Sequence, residues 1–378
     1  MASSSHQIAL LTLIIFFNSH TTSTATPKDH FTAIFAFGDS YTDTGNTRSN
    51  ADSGPNGFRQ VSYPPYGMTH FGHPTNRYSD GRLVIDFVAE SLLLPYLPPY
   101  LNQKADKTHG VNFAVAGSTA IKHEFFVRNN LTLNTTPQSL LTQLTWFKSF
   151  LKNRGCQDKK SPTCNGLVTD SLFWIGEIGA NDYAYNLGKT VPETVIQKLT
   201  MESITLFLQE LLSMGAKYIV VQGIPPTGCL PLAMALGANE EKDKIGCLAS
   251  VNNQSSRHNS LLQDRLDYFR KQYPHAIISY ADYYNAYHMI MENSTKYGFR
   301  EPFMACCGTG GPPLNFDLFN TCGSPKASKA CSSPAQYINW DGVHLTEDMY
   351  KVVSDLFLHG GYTRPSFDFL KSSRRQEG

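Results

Sequence analysis

Short apolar runs recur along the chain, separated by longer stretches in which apolar residues return every three to four positions. Five of the runs read as strands: Thr32–Phe37, Val111–Val115, Leu172–Ile178, Tyr218–Ile224 and Ala276–Tyr280. They are apolar over most of their length rather than alternating, which is the pattern of strands covered on both faces. Helical spacing falls over Arg82–Leu94, Gln138–Leu151, Pro192–Ser213, Leu248–Tyr273 and Thr346–Leu358. The ends of these segments carry physical punctuation. Pro192 suits the first turn of a helix, Pro274 cannot continue one, Pro225-Pro226 stops the fourth strand, and Thr346 followed by acidic residues is a capping pattern. Strands alternating with helices predict a parallel sheet with helices on both faces. Such sheets bind ligands beyond the carboxyl ends of their strands, so reactive side chains are expected just after the strands. No internal repeat or low-complexity block interrupts the pattern.

The first 26 residues stand apart. They contain no Lys, Arg, Asp or Glu, and Ile8–Phe17 is apolar except for Thr12. Small residues follow, through Ser23-Thr24-Ala25-Thr26. An apolar stretch too short to span a bilayer, then small residues for cleavage, predicts a secretory signal peptide over 1–26. Only the α-amino group and His6 are available as its basic end, and the alternative is a plain N-terminal extension. Removal would leave 378 − 26 = 352 residues, read as a single domain over 27–378.

Composition narrows the class further. Lys+Arg 32 against Asp+Glu 31 gives a net charge of +1, which excludes a nucleic-acid binder that works by neutralising phosphates. With 41% hydrophobic and 17% charged residues the chain folds rather than remaining disordered. No integral membrane segment is expected in the mature chain, because no apolar run reaches the length of a span.

The eight cysteines all lie downstream of the leader, and an even count in an exported chain predicts disulfides. Cys156/Cys164 and Cys229/Cys247 read as local pairs. Cys306, Cys307, Cys322 and Cys331, in a Gly/Pro-rich stretch, can pair in three ways. Zinc is disfavoured by spacing, since no C-x-x-C occurs and Cys306-Cys307 are adjacent. His70 and His73 lack a third ligand at a sensible spacing. No metal and no cofactor is therefore expected. Asn130, Asn134, Asn253 and Asn293 head N-x-S/T sequons and are candidate glycan sites in an exported chain. No KDEL-type retention tail is present. Tyr63-Pro64-Pro65-Tyr66-Gly67 reads as a rigid loop with packed aromatics, and Tyr283-Tyr284-Asn285-Ala286-Tyr287 as buried packing beside the fifth strand.

Reactive residue types do fall after the strands. Phe37-Gly38-Asp39-Ser40-Tyr41 follows the first, and a serine at such a turn can stand exposed at the mouth of a sheet. It also precedes a possible helical turn, whose amino end favours negative charge. Gly117 follows the second strand, where its N–H can serve as an oxyanion donor and its lack of a side chain allows close approach. Gly179-Ala180-Asn181-Asp182 follows the third, and Asn181 offers an amide donor. Near the C-terminus, Asp341 and His344 are three residues apart, so the carboxylate can fix the imidazole tautomer. Each segment alone reads equally well as an ordinary turn or cap. Together they supply the nucleophile, base, orienter and donors of acyl transfer.

This ordered set of blocks resembles the plant GDSL esterase/lipase family of the SGNH hydrolases over about Phe31 to Phe357. Gly38-Asp39-Ser40 matches the first block, Gly117 the second, Gly179-x-Asn181-Asp182 the third and Asp341-x-x-His344 the last. Pro74-Thr75-Asn76-Arg77-Tyr78-Ser79-Asp80-Gly81-Arg82 also looks like the plant group. Tyr41 stands where the eponymous motif has Leu, a difference expected to leave the chemistry unchanged. The resemblance implies an α/β fold, a three-layer α/β/α sandwich with a five-stranded parallel sheet, flavodoxin-like. It implies Ser40 as nucleophile, His344 as base and Asp341 as orienter, with the oxyanion held by Ser40 N–H, Gly117 N–H and the Asn181 side chain. The leading expectation is a secreted esterase or lipase, apoplastic or vacuolar, acting on a small-molecule or lipid ester. An acyltransferase using the same triad is the first rival, because only the acceptor of the acyl group differs. A non-catalytic secreted binding protein is the second, and it would be expected to have lost the nucleophile or the base. Neither the acyl and alcohol parts of the substrate nor the oligomeric state is legible.

Overall fold

The computed structural model describes residues 31–48, 60–133, 136–156, 162–188 and 190–376. The leader read over 1–26 and the sequon at Asn134 lie outside the described residues. Among the described residues eight strands are formed: β1 (Ile34–Phe37), β2 (Gly110–Asn112), β3 (Leu172–Ile175), β4 (Tyr218–Gln222), β5 (Ile277–Ala281), β6 (Glu301–Ala305), β7 (Tyr337–Asn339) and β8 (Thr363–Arg364). The main sheet runs in the order β2-β1-β3-β4-β5-β8, the first five strands all parallel. The five-stranded parallel sheet is therefore present, extended by the two-residue β8, which pairs antiparallel with β5 and covers that edge.

Side chains on successive strand positions point to opposite faces, and here both faces are dry. Ile34, Ala36, Trp174 and Val220 belong to one core, and Phe35, Phe37, Phe173 and Val221 to the other. The first core is closed by α1 (Val84–Ser91); the chain then adds α2 (His123–Arg128), a short helix whose Phe126 packs in a separate cluster with Leu131, Val191 and Ile196. The second core is closed chiefly by α3 (Leu140–Asn153), with α4 (Pro162–Thr169) at its margin. After α5 (Ala180–Ala184), the long α6 (Glu193–Ser213) packs on that second face; α7 (Pro231–Leu236) follows, and α8 (Ala249–Gln272) joins α6 there. The first face is completed by α9 (Tyr283–Glu292), α10 (Glu347–Leu358) and α11 (Phe367–Gln376). These are the three layers. The block around Tyr283 and Tyr287 is buried as expected, but as the opening of a helix, with the Asp282 side chain accepting from Asn285 N as its cap.

A second, two-stranded parallel sheet of β6 and β7 was not anticipated from the sequence. It is held by nested disulfides. Cys156–Cys164 and Cys229–Cys247 are the local pairs, and of the three alternatives for the rest, the structure has Cys306–Cys331 enclosing Cys307–Cys322. Cys306, Cys307 and Cys322 pack with Val61, Tyr66, Tyr78 and Trp340 into a separate small core. That core binds the segment Val61–Arg82 to the C-terminal strands, and it backs the candidate site described below.

The aromatic density under β1 makes one prediction about stability. Phe37 is fully buried, with ring centroids 5.1 Å from both Phe113 and Phe207. Phe37→Ala should cost about 3–5 kcal/mol in urea unfolding. Phe319→Ala, at a ring 78% exposed, should stay within about 0.5 kcal/mol of the parent. Equal losses at the two positions would contradict this layering.

Candidate active site

β1 delivers its chain into a tight turn. Gly38 has φ +139°, a value only glycine adopts freely, and an added Cβ would press on the Gly176 backbone at 3.2 Å. Asp39 O accepts from Thr42 N (3.1 Å) and Asp43 N (2.9 Å), so Ser40 opens a single helical turn. Ser40 is 7% exposed. Among the described residues its backbone N–H has no hydrogen-bond acceptor, and the same holds for the N–H of Gly117. Two donors without intramolecular partners, each beyond the end of a neighbouring parallel strand, have the arrangement of an oxyanion cradle.

Three side chains lock this turn and the two turns beyond it. Gln143 of α3 accepts from Gly38 N (2.9 Å) and donates to Gly38 O (2.7 Å), acting as a prosthetic strand partner. Asp43 accepts from Gly45 N, Asn46 N and Thr47 N, and also from Ala116 N at 2.9 Å, which couples the serine turn to the Gly117 turn. Asp182 accepts from Ala120 N and Ile121 N, both at 2.9 Å, coupling the third block to the second. Nothing in the local sequence marks Gln143. Asp43 and Asp182 were visible only as members of turn-rich blocks.

Gly117, at φ +77°, has no room for a side chain, because a Cβ would meet Thr136 Oγ1 at 2.5 Å. Asn181 lies in the first turn of α5, behind Gly179 at φ +122°. Its Nδ2 donates to Asp39 Oδ2 (2.8 Å) and to Ser118 O (3.0 Å). The amide expected as a free oxyanion donor thus has both hydrogens engaged, one of them on the residue before Ser40. Behind it, Gly179 packs on the buried His258 ring of α8, which contacts the Tyr183 hydroxyl through Nδ1 at 3.1 Å. Burial pushes the His258 pKa down to about 3, so that ring is neutral and serves packing.

The imidazole and its carboxylate come from one turn after β7. Asp341 Oδ1 accepts from Val343 N (3.0 Å) and His344 N (2.8 Å), an Asx-type turn closed by Trp340 N donating to His344 O at 2.7 Å. Gly342 sits at its corner with φ +96°. Asp341 Oδ2 lies 2.7 Å from His344 Nδ1, with both residues buried. The turn runs on into α10, where Thr346 caps by accepting from Met349 N. Burial alone would raise the Asp341 pKa, but the His344 charge and the hydrogen bonds it receives outweigh that and hold it below the usual carboxylate range.

Tyr41 joins the two halves. Its hydroxyl donates to Val343 O at 2.7 Å and its ring centroid is 5.7 Å from that of His344. The sequence treats Tyr41 as interchangeable with Leu, yet a leucine there has no group to make this bond. Tyr78 flanks the imidazole on another side, with ring centroids 4.5 Å apart.

The serine turn rests on a buried carboxyl pair. Asp39 and Glu177 are both 1% exposed and near enough for the charge of one to act on the other. Burial pushes both pKa values up, Asp39 to about 6, and the negative charge of Asp39 pushes Glu177 further in the same direction. Two carboxyls in contact in a dry site cannot both ionise, so the pair keeps a proton, held on Glu177.

Elsewhere, His70 sits 3.8 Å from Glu347 and His73 Nδ1 lies 2.8 Å from Phe71 O. No cluster of three or more metal-ligating side chains occurs among the described residues. Asn130, Asn253 and Asn293 are all exposed.

Residues 34–357 match the family described as GDSL-like Lipase/Acylhydrolase. A GDSL esterase/lipase of Arabidopsis thaliana is 55% identical over 371 residues, covering 96% of this chain and 95% of that protein. Acetylajmalan esterase 2 of Rauvolfia serpentina is 40% identical over 329 residues, covering 85% and 88%. Among solved structures, an acetylxylan esterase from Geobacillus stearothermophilus aligns over 86% of this chain and 92% of its own, at 12% identity and a TM-score of 0.38.

The carboxyl pair predicts a pH signature in stability. A Glu whose pKa is raised by folding stabilises the native state at low pH and loses that contribution as pH rises above the ordinary carboxylate range. Glu177→Gln copies the protonated form and removes this dependence. Its melting temperature relative to the parent should therefore be more favourable at pH 8 than at pH 5. A difference independent of pH would show that Glu177 is ionised in the folded protein.

Proposed function

The chain belongs to the GDSL-like lipase/acylhydrolase family, whose members are ester-hydrolysing enzymes, and on that premise we propose that it is a secreted serine esterase working through Ser40, His344 and Asp341. The observation that carries the reading is the buried 2.7 Å contact between Asp341 and His344, joined to the Ser40 turn through Tyr41. A serine hydroxyl is a weak nucleophile until a base takes its proton. In this scheme His344 accepts the Ser40 proton through Nε2 as Oγ attacks the ester carbonyl, while Asp341 fixes Nδ1–H and balances the charge on the ring. The carbonyl oxygen gains negative charge and is received by Ser40 N–H and Gly117 N–H. Asn181 joins them by sharing one of the amide hydrogens now given to Asp39 and Ser118. His344 then protonates the departing alcohol, and water, deprotonated by the same ring, releases the acid.

Secretion is supported by the leader over 1–26, by the four disulfides and by the exposed sequons. No helix among the described residues is long and apolar enough to cross a membrane. A carboxylic ester of a small plant metabolite is the substrate class we favour. The esterase from Rauvolfia serpentina, 40% identical, takes its name from an acetylated compound.

Hydrolysis of short-chain, long-chain and hydroxycinnamoyl esters by the glycosylated protein tests the assignment directly. Ser40→Ala should abolish turnover of whichever esters are cleaved. Asn181→Ala should lower kcat by about 10²–10³, the usual cost of one oxyanion donor. Near-parental turnover by the serine variant would overturn the mechanism.

A further inference from the structure

We infer that Tyr66 is a positioning residue of the acid–base pair, a fourth member that holds the Asp341 carboxylate on His344 through a hydrogen bond from its own hydroxyl. The inference rests on the triad proposed above. The Tyr66 hydroxyl donates to Asp341 Oδ2 at 2.7 Å, the same oxygen that faces His344 Nδ1 at 2.7 Å. Both Tyr66 and Asp341 are fully buried. The carboxylate therefore has four donors: two backbone N–H groups on Oδ1 and, on Oδ2, the imidazole and the phenol.

The phenol does something the backbone donors cannot. A carboxylate held only by its own turn can swing Oδ2 about its Cβ–Cγ bond, and the imidazole would follow. Tyr66 approaches from a segment 275 residues away in sequence and pins that oxygen from outside the turn. Its ring is itself wedged edge-on between Tyr78 and Trp340, with centroids 6.0 and 5.9 Å away, in the small core that the nested disulfides close. Burial together with the Asp341 charge raises the phenol pKa well above its ordinary value, so it stays a donor. A single phenol shared with the imidazole on one oxygen also draws charge away from the ring. Removing it leaves that oxygen more basic toward His344, and the pair should then hold a proton to higher pH. The other titratable groups around the pair are Tyr41 and Asp39 from the serine turn, Tyr78 from the tyrosine segment, and Tyr350 from α10.

The test is the pH dependence of kcat/KM for Tyr66→Phe. It should show about a tenfold fall in kcat with KM little changed, as expected for loss of one hydrogen bond to a buried charge, and an acid limb displaced to higher pH. In an Asp341→Asn background the same change should have almost no further effect on kcat, because the oxygen it serves is no longer charged. Tyr287→Phe is the control: its hydroxyl is buried and has no hydrogen-bond partner among the described residues, so activity should be retained. If the phenylalanine variant does not fold, 3-fluorotyrosine placed at position 66 keeps ring and hydroxyl, donates more strongly, and should move the acid limb to lower pH. An unshifted profile at parental kcat, with Ser40→Ala inactive, overturns the role of Tyr66 and leaves the triad standing. An active Ser40→Ala overturns the triad, and this inference with it.

Discussion

The structure around the site depends on one buried negative charge. Asp341 is inaccessible to water, and a carboxylate in that position costs several kcal/mol unless donors replace its hydration. Four donors do so, and each imposes a condition on the fold. The two backbone donors require a turn tight enough to place glycine at position 342. The imidazole must lie against the carboxylate. The phenol of Tyr66 requires the segment from Val61 to Arg82 to cross the C-terminal strands. The disulfides, Trp340 and the small β6–β7 sheet are what keep that crossing dry. The geometry that would make His344 a base is thus a by-product of solvating Asp341 without water.

Behind the serine turn a different solution is used. Asp39 and Glu177 are as deeply buried as Asp341, but only Asp39 is well supplied with donors, from Tyr41 N and Asn181 Nδ2, while Glu177 Oε2 has no hydrogen-bond partner among the described residues. Burial and the neighbouring Asp39 charge push the Glu177 pKa up, and the pair keeps a proton there. The local charge is halved where the proposed mechanism requires an oxyanion to form, and Asn181 is held by the oxygen of Asp39 that remains. Carboxyl groups at similar burial are thus ionised at Asp341, which four donors reach, and protonated at Glu177, one of whose oxygens no donor reaches among the described residues.

Much of this was legible before any coordinates. Short apolar runs gave the five parallel strands to within a few residues, because strands buried on both faces leave few polar positions to confuse the pattern. The five long helices were legible for the complementary reason, a polar face of fixed period with Pro or Thr at the ends. The short helices, β8 and the β6–β7 pair were not. Glu301–Ala305 carries a proline and four half-buried residues, and the disulfides that follow it, Cys306–Cys331 and Cys307–Cys322, act at a sequence distance no local pattern shows. The site blocks stood out because acyl transfer needs particular residue types at strand ends. Their supports did not. Gln143, Asp43, Tyr66 and Glu177 act across tens or hundreds of residues, and a glutamine on a helix or a tyrosine in a Pro-rich loop looks like surface or packing until its partner is known. Tyr41 departs from the motif at a position expected to leave the chemistry unchanged, and its hydroxyl joins the two halves in a way no spacing in the sequence shows.

The bridge that Tyr41 makes also orders events in time. Synthesis runs from the amino end, so the serine turn and its N–H cradle emerge roughly 300 residues before the imidazole, whose turn enters only with residues 341–344. A chain interrupted anywhere in that interval lacks the turn that Tyr41 reaches. On the reading proposed above, hydrolytic competence arrives in a single late step, when the turn after β7 docks and Val343 meets the phenol of Tyr41.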